Sequence, residues 1–179
     1  MITANESIFH LTTKKLSYLI GIRAGRYPEN LYFGKKIKQQ NDYYALQEKF
    51  GNPYGNSVLI NAKGEDKNIT LDNLCLDYSF IGTGDYRVNP MTLRMEDTVY
   101  SSRFEYKDFV IYSGIYKDSD VTEMPFAREG KDGHSQTLEL IFTDEYYSLE
   151  LRWFTQPSLN VMSLPEEVYW LIILAEKLQ

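Results

Sequence analysis

A single cysteine in 179 residues, Cys75, excludes an internal disulfide and fits a reducing compartment. It lies in Leu74-Cys75-Leu76, which reads as a small packed hydrophobe. Histidine is almost as scarce. His10 and His134 are far apart in the chain, and neither has metal-ligand spacing. Positive charge is in deficit: the formal net charge is -6 and the pI about 5.0, which argues against a nucleic acid or an anionic membrane as partner. Long apolar runs are missing too. The longest, Val168 to Ala175, is too short to span a bilayer. The first residues, Met1 to Glu6, show no basic start followed by an apolar stretch, so no secretory signal is expected, and the location expected is cytoplasmic. No nucleophile elbow, phosphate loop, zinc-protease or paired-cysteine motif occurs. Gly82-Thr83-Gly84-Asp85 is only half of a phosphate-cradling loop and lacks a following helix pattern. No cofactor is implied.

What the chain does have is tyrosine, 15 of them, and a succession of short strand patterns. Broad and β-branched side chains fit a pleated surface. Most of these rings read as core and cross-strand pairs, although exposed tyrosines can also stack on sugar rings. Ile8–Thr12 is followed by Leu16, Tyr18, Ile20 and Ile22 at every second position, the period of a strand with one buried face. A turn over 24–30 and a strand over 31–37 complete an early meander. Further strands are expected over 91–95, over 103–112 with Phe104 and Tyr106 on one face, over 135–142 and over 147–153. Short strands at this spacing indicate an antiparallel sandwich or barrel. The polar segment 38–57, closed by Gly51-Asn52-Pro53-Tyr54-Gly55, is a long loop of the kind that is usually functional or disordered. At the other end, Ser163-Leu164-Pro165-Glu166 has capping-box spacing. Val168, Leu171, Ile172 and Ala175 follow at i, i+3, i+4 and i+7, so a helix is expected over 164–177.

Several short motifs, in order, resemble the N-terminal domain of the family 36 glycoside hydrolases, the α-galactosidase type. Leu31-Tyr32-Phe33-Gly34-Lys35-Lys36 is similar to the family's early "LYFGKK" strand, with Phe9-His10-Leu11 and Ser17-Tyr18 before it. Thr70-Leu71-Asp72-Asn73 resembles "SLDN". Gly82 to Arg87 resembles "GTGDFR", with Tyr86 in place of phenylalanine, and Gln136-Thr137-Leu138-Glu139-Leu140 resembles "ETLEI". The resemblance covers residues 2 to about 155. It implies an all-β, mainly antiparallel fold, a partial β-sandwich of the supersandwich type, to which the periodicity of the tail adds a short C-terminal helix. Residues 1–155 form this incomplete sandwich, and 156–179 form a divergent tail.

The family's catalytic barrel, which carries the two aspartates of a retaining double displacement, has no counterpart here. No catalytic residue can therefore be carried over, and the chain alone is expected to be inactive. A truncated gene, a frameshift or a split reading frame would each produce such a sequence. The resemblance also implies partners: the catalytic barrel of an α-galactosidase, or a neighbouring subunit, with galactosides as ligands. Loops of this domain in the family can lie near a neighbouring active site. On that basis Asp42, Tyr43, Tyr44 and Tyr54 of the long loop are candidates to face a sugar or a partner. Asp85 and Arg87 of the glycine turn follow them, and can equally serve as a charged pair that fixes the turn. A free-standing carbohydrate-binding module is the competing expectation, and an independent enzyme a remote one. Lacking later strands, the sandwich should also expose at least one strand edge.

Overall fold

A computed structural model describes residues 1–39, 43–47, 71–78, 93–95, 98–100, 102–116, 135–157 and 168–177. Among these, ten strands and almost no helix are present. The first sheet is a meander: β1 (Ile2–Asn5), β2 (Ile8–Thr12), β3 (Leu16–Arg23) and β4 (Tyr27–Lys35), in spatial order β1-β2-β3-β4 with every pair antiparallel. A short antiparallel pair follows, β5 (Leu93–Met95) with β6 (Thr98–Tyr100). The second four-stranded sheet contains β7 (Glu105–Ser113), β8 (Gln136–Asp144), β9 (Leu149–Pro157) and β10 (Val168–Lys177), in spatial order β10-β9-β8-β7 and again antiparallel. The fold is thus all-β and sandwich-like, as expected.

Period-2 alternation decides which side chains meet. Phe9 and Leu11 of β2 and Tyr18, Ile20 and Ile22 of β3 point to one side. They join Leu138, Leu140 and Phe142 of β8 and Leu149, Leu151 and Trp153 of β9 in one core between the sheets. Phe104 and Tyr106 share this core, and Tyr106 packs edge-on against Phe142. Two backbone groups stitch the layers together at sequence-distant points. The Ile2 N–H donates to Gln136 Oε1 at 2.7 Å, and the Tyr106 N–H donates to the Arg26 carbonyl at 3.1 Å.

The first sheet is covered on its other face as well. Leu19 of β3 and Ile8 of β2 are buried there beneath Tyr43, Leu31 and Ile37. This explains why β3 is buried along nearly its whole length, although its sequence reads as one-sided. One extra residue, Leu31, bulges from β4 between Tyr32, paired with Leu19, and Asn30, paired with Ile20. The β3–β4 hairpin is tighter than the expected 24–30 turn. Ala24 and Gly25 both adopt positive φ, 54° and 63°, and the Arg26 N–H closes onto the Arg23 carbonyl. Only Gly25 takes that conformation without a steric penalty.

Two expectations are corrected. Over the described part of the expected 164–177 helix, Val168–Lys177 is instead a strand along β9, registered from Val168 opposite Pro157 to Lys177 opposite Leu149. The run Val168-Tyr169-Trp170-Leu171-Ile172-Ile173 is as rich in aromatic and β-branched residues as a strand, and the open edge of β9 supplies hydrogen-bond partners that an isolated helix would not need. Leu71–Asn73 forms a single 3₁₀ turn. Cys75 is exposed rather than packed; Leu74 beside it is the buried member of that tripeptide. The second sheet keeps β10 and β7 at its edges, and the first keeps β1 and β4.

Candidate functional site

The residues singled out from the sequence separate sharply. Asp42, Tyr54, Asp85 and Arg87 lie outside the described residues. Tyr43 and Tyr44 sit at the root of the long loop, where a single helical turn, α1 (Tyr44–Gln47), begins. Their environments are opposite. Tyr44 is 74% exposed, whereas Tyr43 is buried against Ile8 and Leu19. Tyr43 is therefore an anchor and not an open platform for a sugar. The reason lies 33 residues upstream, where His10 offers a partner for its hydroxyl.

Tyr43 Oη and His10 Nδ1 are 3.0 Å apart, and the two rings meet edge to face at 5.9 Å. His10 Nε2 is 2.9 Å from Ser17 Oγ, which also accepts the Ile37 N–H at 3.1 Å. A neutral imidazole has one donor and one acceptor nitrogen, so the Tyr43–His10–Ser17 line runs in a single sense, whichever tautomer is present. It fastens the strand exit at Ile37 and the helical turn at Tyr43 to the same spot on the sheet. Burial, then Lys36 and the amino terminus, push the His10 pKa below its ordinary value. The sign follows. Above about pH 6.5 the ring is neutral whether the chain is folded or not; below it the unfolded chain takes up a proton that the folded chain resists. Acidification from pH 7.5 to 5.5 should therefore destabilise the wild type more than His10→Gln, measured as the difference between their melting temperatures. Equal shifts would mean that the ring is not held neutral.

The cavity beside this line, between Thr3, Asn5, His10 and Tyr43, offers about 30 Å³. That admits a water molecule and no sugar ring. The root of the loop is thus a scaffold, and the group it presents outward is Tyr44.

A second polar cluster joins β3 and β4 to residues 75–77. The Tyr18 hydroxyl donates to Asp77 Oδ2 at 2.6 Å, and the Asp77 N–H donates to the Pro28 carbonyl at 3.0 Å. The Asn30 N–H donates to the Cys75 carbonyl, and Glu29 and Leu76 form an antiparallel bridge. Glu29 is fully buried; Arg23 Nε lies 3.4 Å from its Oε2, and the same guanidinium donates to the Gln47 carbonyl at the end of α1. Burial pushes Asp77 up to about 7 against the pull of its Tyr18 and Asn30 bonds, with the Glu29 charge adding to the rise. Burial, with the Asp77 charge beside it, also raises Tyr18 well above the ordinary tyrosine value. Neither cluster was visible in the sequence, since its members are 33 and 59 residues apart. Among the described residues, no group of three or more His, Cys, Asp or Glu side chains is placed to hold a metal. No described helix is long and apolar enough to cross a membrane.

The sequence profile of the glycosyl hydrolase family 36 N-terminal domain matches residues 26–158. The bifunctional alpha-galactosidase/sucrose kinase AgaSK of Mediterraneibacter gnavus is 32% identical over 150 residues, which are 82% of this chain but 15% of that protein. Alpha-galactosidase Mel36A of Lactobacillus acidophilus is 28% identical over 148 residues, 81% of this chain and 19% of its own length. Among solved structures, the galactosidase domain of AgaSK superposes with a TM-score of 0.70 at 28% identity, over 87% of this chain and 21% of that one. The alpha-galactosidase from Lactobacillus brevis shares the fold with a TM-score of 0.68 at 21% identity, over 83% of this chain and 19% of its own. This chain therefore spans less than a fifth of the two curated relatives named. With both four-stranded sheets overlapping the matched segment, the chain belongs to the glycosyl hydrolase family 36 N-terminal domain family.

Proposed function

We propose that this domain is a non-catalytic part of an α-galactosidase, packing against a catalytic barrel and assisting subunit assembly in the cytoplasm. The observation that carries the reading is the coincidence of the family match with a sandwich in which three well-covered carboxylates are engaged structurally. Glu29 is paired with Arg23, Asp77 with Tyr18, and Asp144 with three backbone N–H groups. A glycosidase needs two carboxyl groups facing one sugar-binding space. The exposed Tyr44, on a root tied down by His10 and Arg23, supports a role in contacting the barrel or a neighbouring subunit. Rigid aromatic side chains of this kind are enriched at interfaces.

The test is reconstitution. The purified chain should show no hydrolysis of an aryl α-galactoside above a heat-inactivated control. Mixed with a family 36 catalytic barrel expressed without its own N-terminal sandwich, it should co-elute in gel filtration and raise the barrel's activity. Turnover by the chain alone, abolished by substituting one of its own residues, would overturn the non-catalytic reading. Separate elution of chain and barrel would overturn the packing role.

A further inference from the structure

At one end of the sandwich lies a cleft of about 630 Å³ between the β3–β4 turn, the start of β7 and the β8–β9 turn. Its walls are built rather than loose. Asp144, 1% exposed, holds both sides. Its Oδ2 accepts the Arg103 N–H at 2.8 Å, and its Oδ1 accepts the N–H groups of Tyr146 and Tyr147 at 3.0 and 3.2 Å. That is an Asx-type turn, and it fixes the β8–β9 loop against the strand entering β7. On the opposite wall Glu105 is shared by two guanidiniums, with Arg26 Nε at 3.5 Å and an Arg103 terminal nitrogen at 2.9 Å. Each guanidinium has five N–H donors, so both retain donors for a ligand. Tyr146 stands 86% exposed on the rim, propped edge to face by Tyr147 at 4.8 Å.

Charge and shape select the ligand class. Arg26, Arg103 and Lys107 are balanced by Glu105, Asp144 and Glu145, so neither an anion nor a cation gains from the site as a whole. The polar lining disfavours an apolar guest. What fits is a neutral molecule dense in hydroxyl groups, with a C–H face to lay on the open tyrosine ring. We propose that this cleft binds a neutral saccharide, with Tyr146 as the stacking platform and Arg26, Arg103 and Glu105 as the hydroxyl partners. The proposal stands on the cleft's own geometry and is independent of barrel packing.

The experiment is a ¹H–¹⁵N NMR titration of the whole chain with raffinose, with inorganic phosphate as a parallel probe. Raffinose should produce saturable shifts confined to Arg26 and residues 103–107 and 143–147. Tyr146→Ala and Arg103→Ala should each weaken binding at least fivefold, and Lys14→Ala, in the remote β2–β3 turn, should leave it unchanged. Both cleft side chains are solvent-exposed, so the variants should fold, and unchanged dispersion of the remaining amide signals checks this. No saturable shift at high-millimolar raffinose would overturn the proposal. So would shifts centred on α1, indifference to both cleft variants, or tighter binding of phosphate than of sugar at the cleft. None of these outcomes bears on co-elution with a barrel, so the two readings fail separately.

Discussion

Trp153→Ala is expected to cost about 3–5 kcal/mol of folding stability, the range for deleting a fully buried indole. Trp153 is 1% exposed, the largest of the fully buried side chains. It stacks on Phe142 with ring centroids 6.2 Å apart, at the centre of the core that joins the two sheets. Alanine there leaves a cavity walled by side chains already committed to both layers, and close-packed interiors relax into such space only in part. A domain of this size has about 5–15 kcal/mol in total, so the variant should lose a large share of it. Urea denaturation followed by far-ultraviolet circular dichroism measures the effect. A loss below about 1 kcal/mol, the scale of an ordinary surface substitution, would mean that Trp153 is not at the heart of the fold. Phe154 beside it points the other way, stacked on Tyr116 at 3.8 Å. Phe154→Ala should therefore perturb the outer face and cost less.

The second large effect is a pH dependence of opposite sign to that of His10. Asp77 is pushed up to about 7 from 3.8, with burial as the leading cause. Below about pH 4 the carboxyl is protonated in both states. Between about 4 and 7 the unfolded chain releases its proton while the folded chain keeps it, so Asp77 favours unfolding progressively as pH rises, and the loss levels off above about 7. The shift corresponds to at most about 4 kcal/mol, reduced by the solvent that still reaches this partly exposed residue. Asparagine keeps an oxygen for the Tyr18 hydroxyl without the charge. Asp77→Asn should thus melt higher than wild type at pH 8 and converge with it near pH 4. Parallel melting curves across that range would show that Asp77 does not titrate late in the folded chain.

The strands of both sheets were legible because alternation is local. Leu138, Leu140 and Phe142, or Leu149, Leu151 and Trp153, announce their shared face without reference to anything else. Strand β10 was not legible in that way. Its apolar run satisfies helical spacing and strand composition together, and only the open edge of β9, outside that run, decides between them. The candidate loop divides along the same line. Tyr43 and Tyr44 are identical as sequence, yet one is captured by His10 and the other is left in solvent. Asp77 and Asp144 carry no local sign of their roles in the sequence. Tyr18 and the Arg103 backbone, 59 and 41 positions away, make the first a late-titrating buried acid and the second the fastener of a cleft.

The bond between the Ile2 N–H and Gln136 Oε1 joins residues 134 positions apart. On a ribosome the meander of β1 to β4 emerges with all its partners local, and it can form as soon as Lys35 clears the exit tunnel. Its inner face, with Phe9, Leu11, Tyr18 and Ile20, has to wait for β8 and β9 to be translated, roughly 6–24 seconds at about 5–20 residues per second. For that interval the nascent chain carries an apolar sheet face without its cover. Pausing of translation between Lys35 and Gln136 would lengthen the exposure, and faster elongation there would shorten it. Codon choice in that stretch therefore bears on how much of the protein is recovered folded, even where the amino-acid sequence is left untouched.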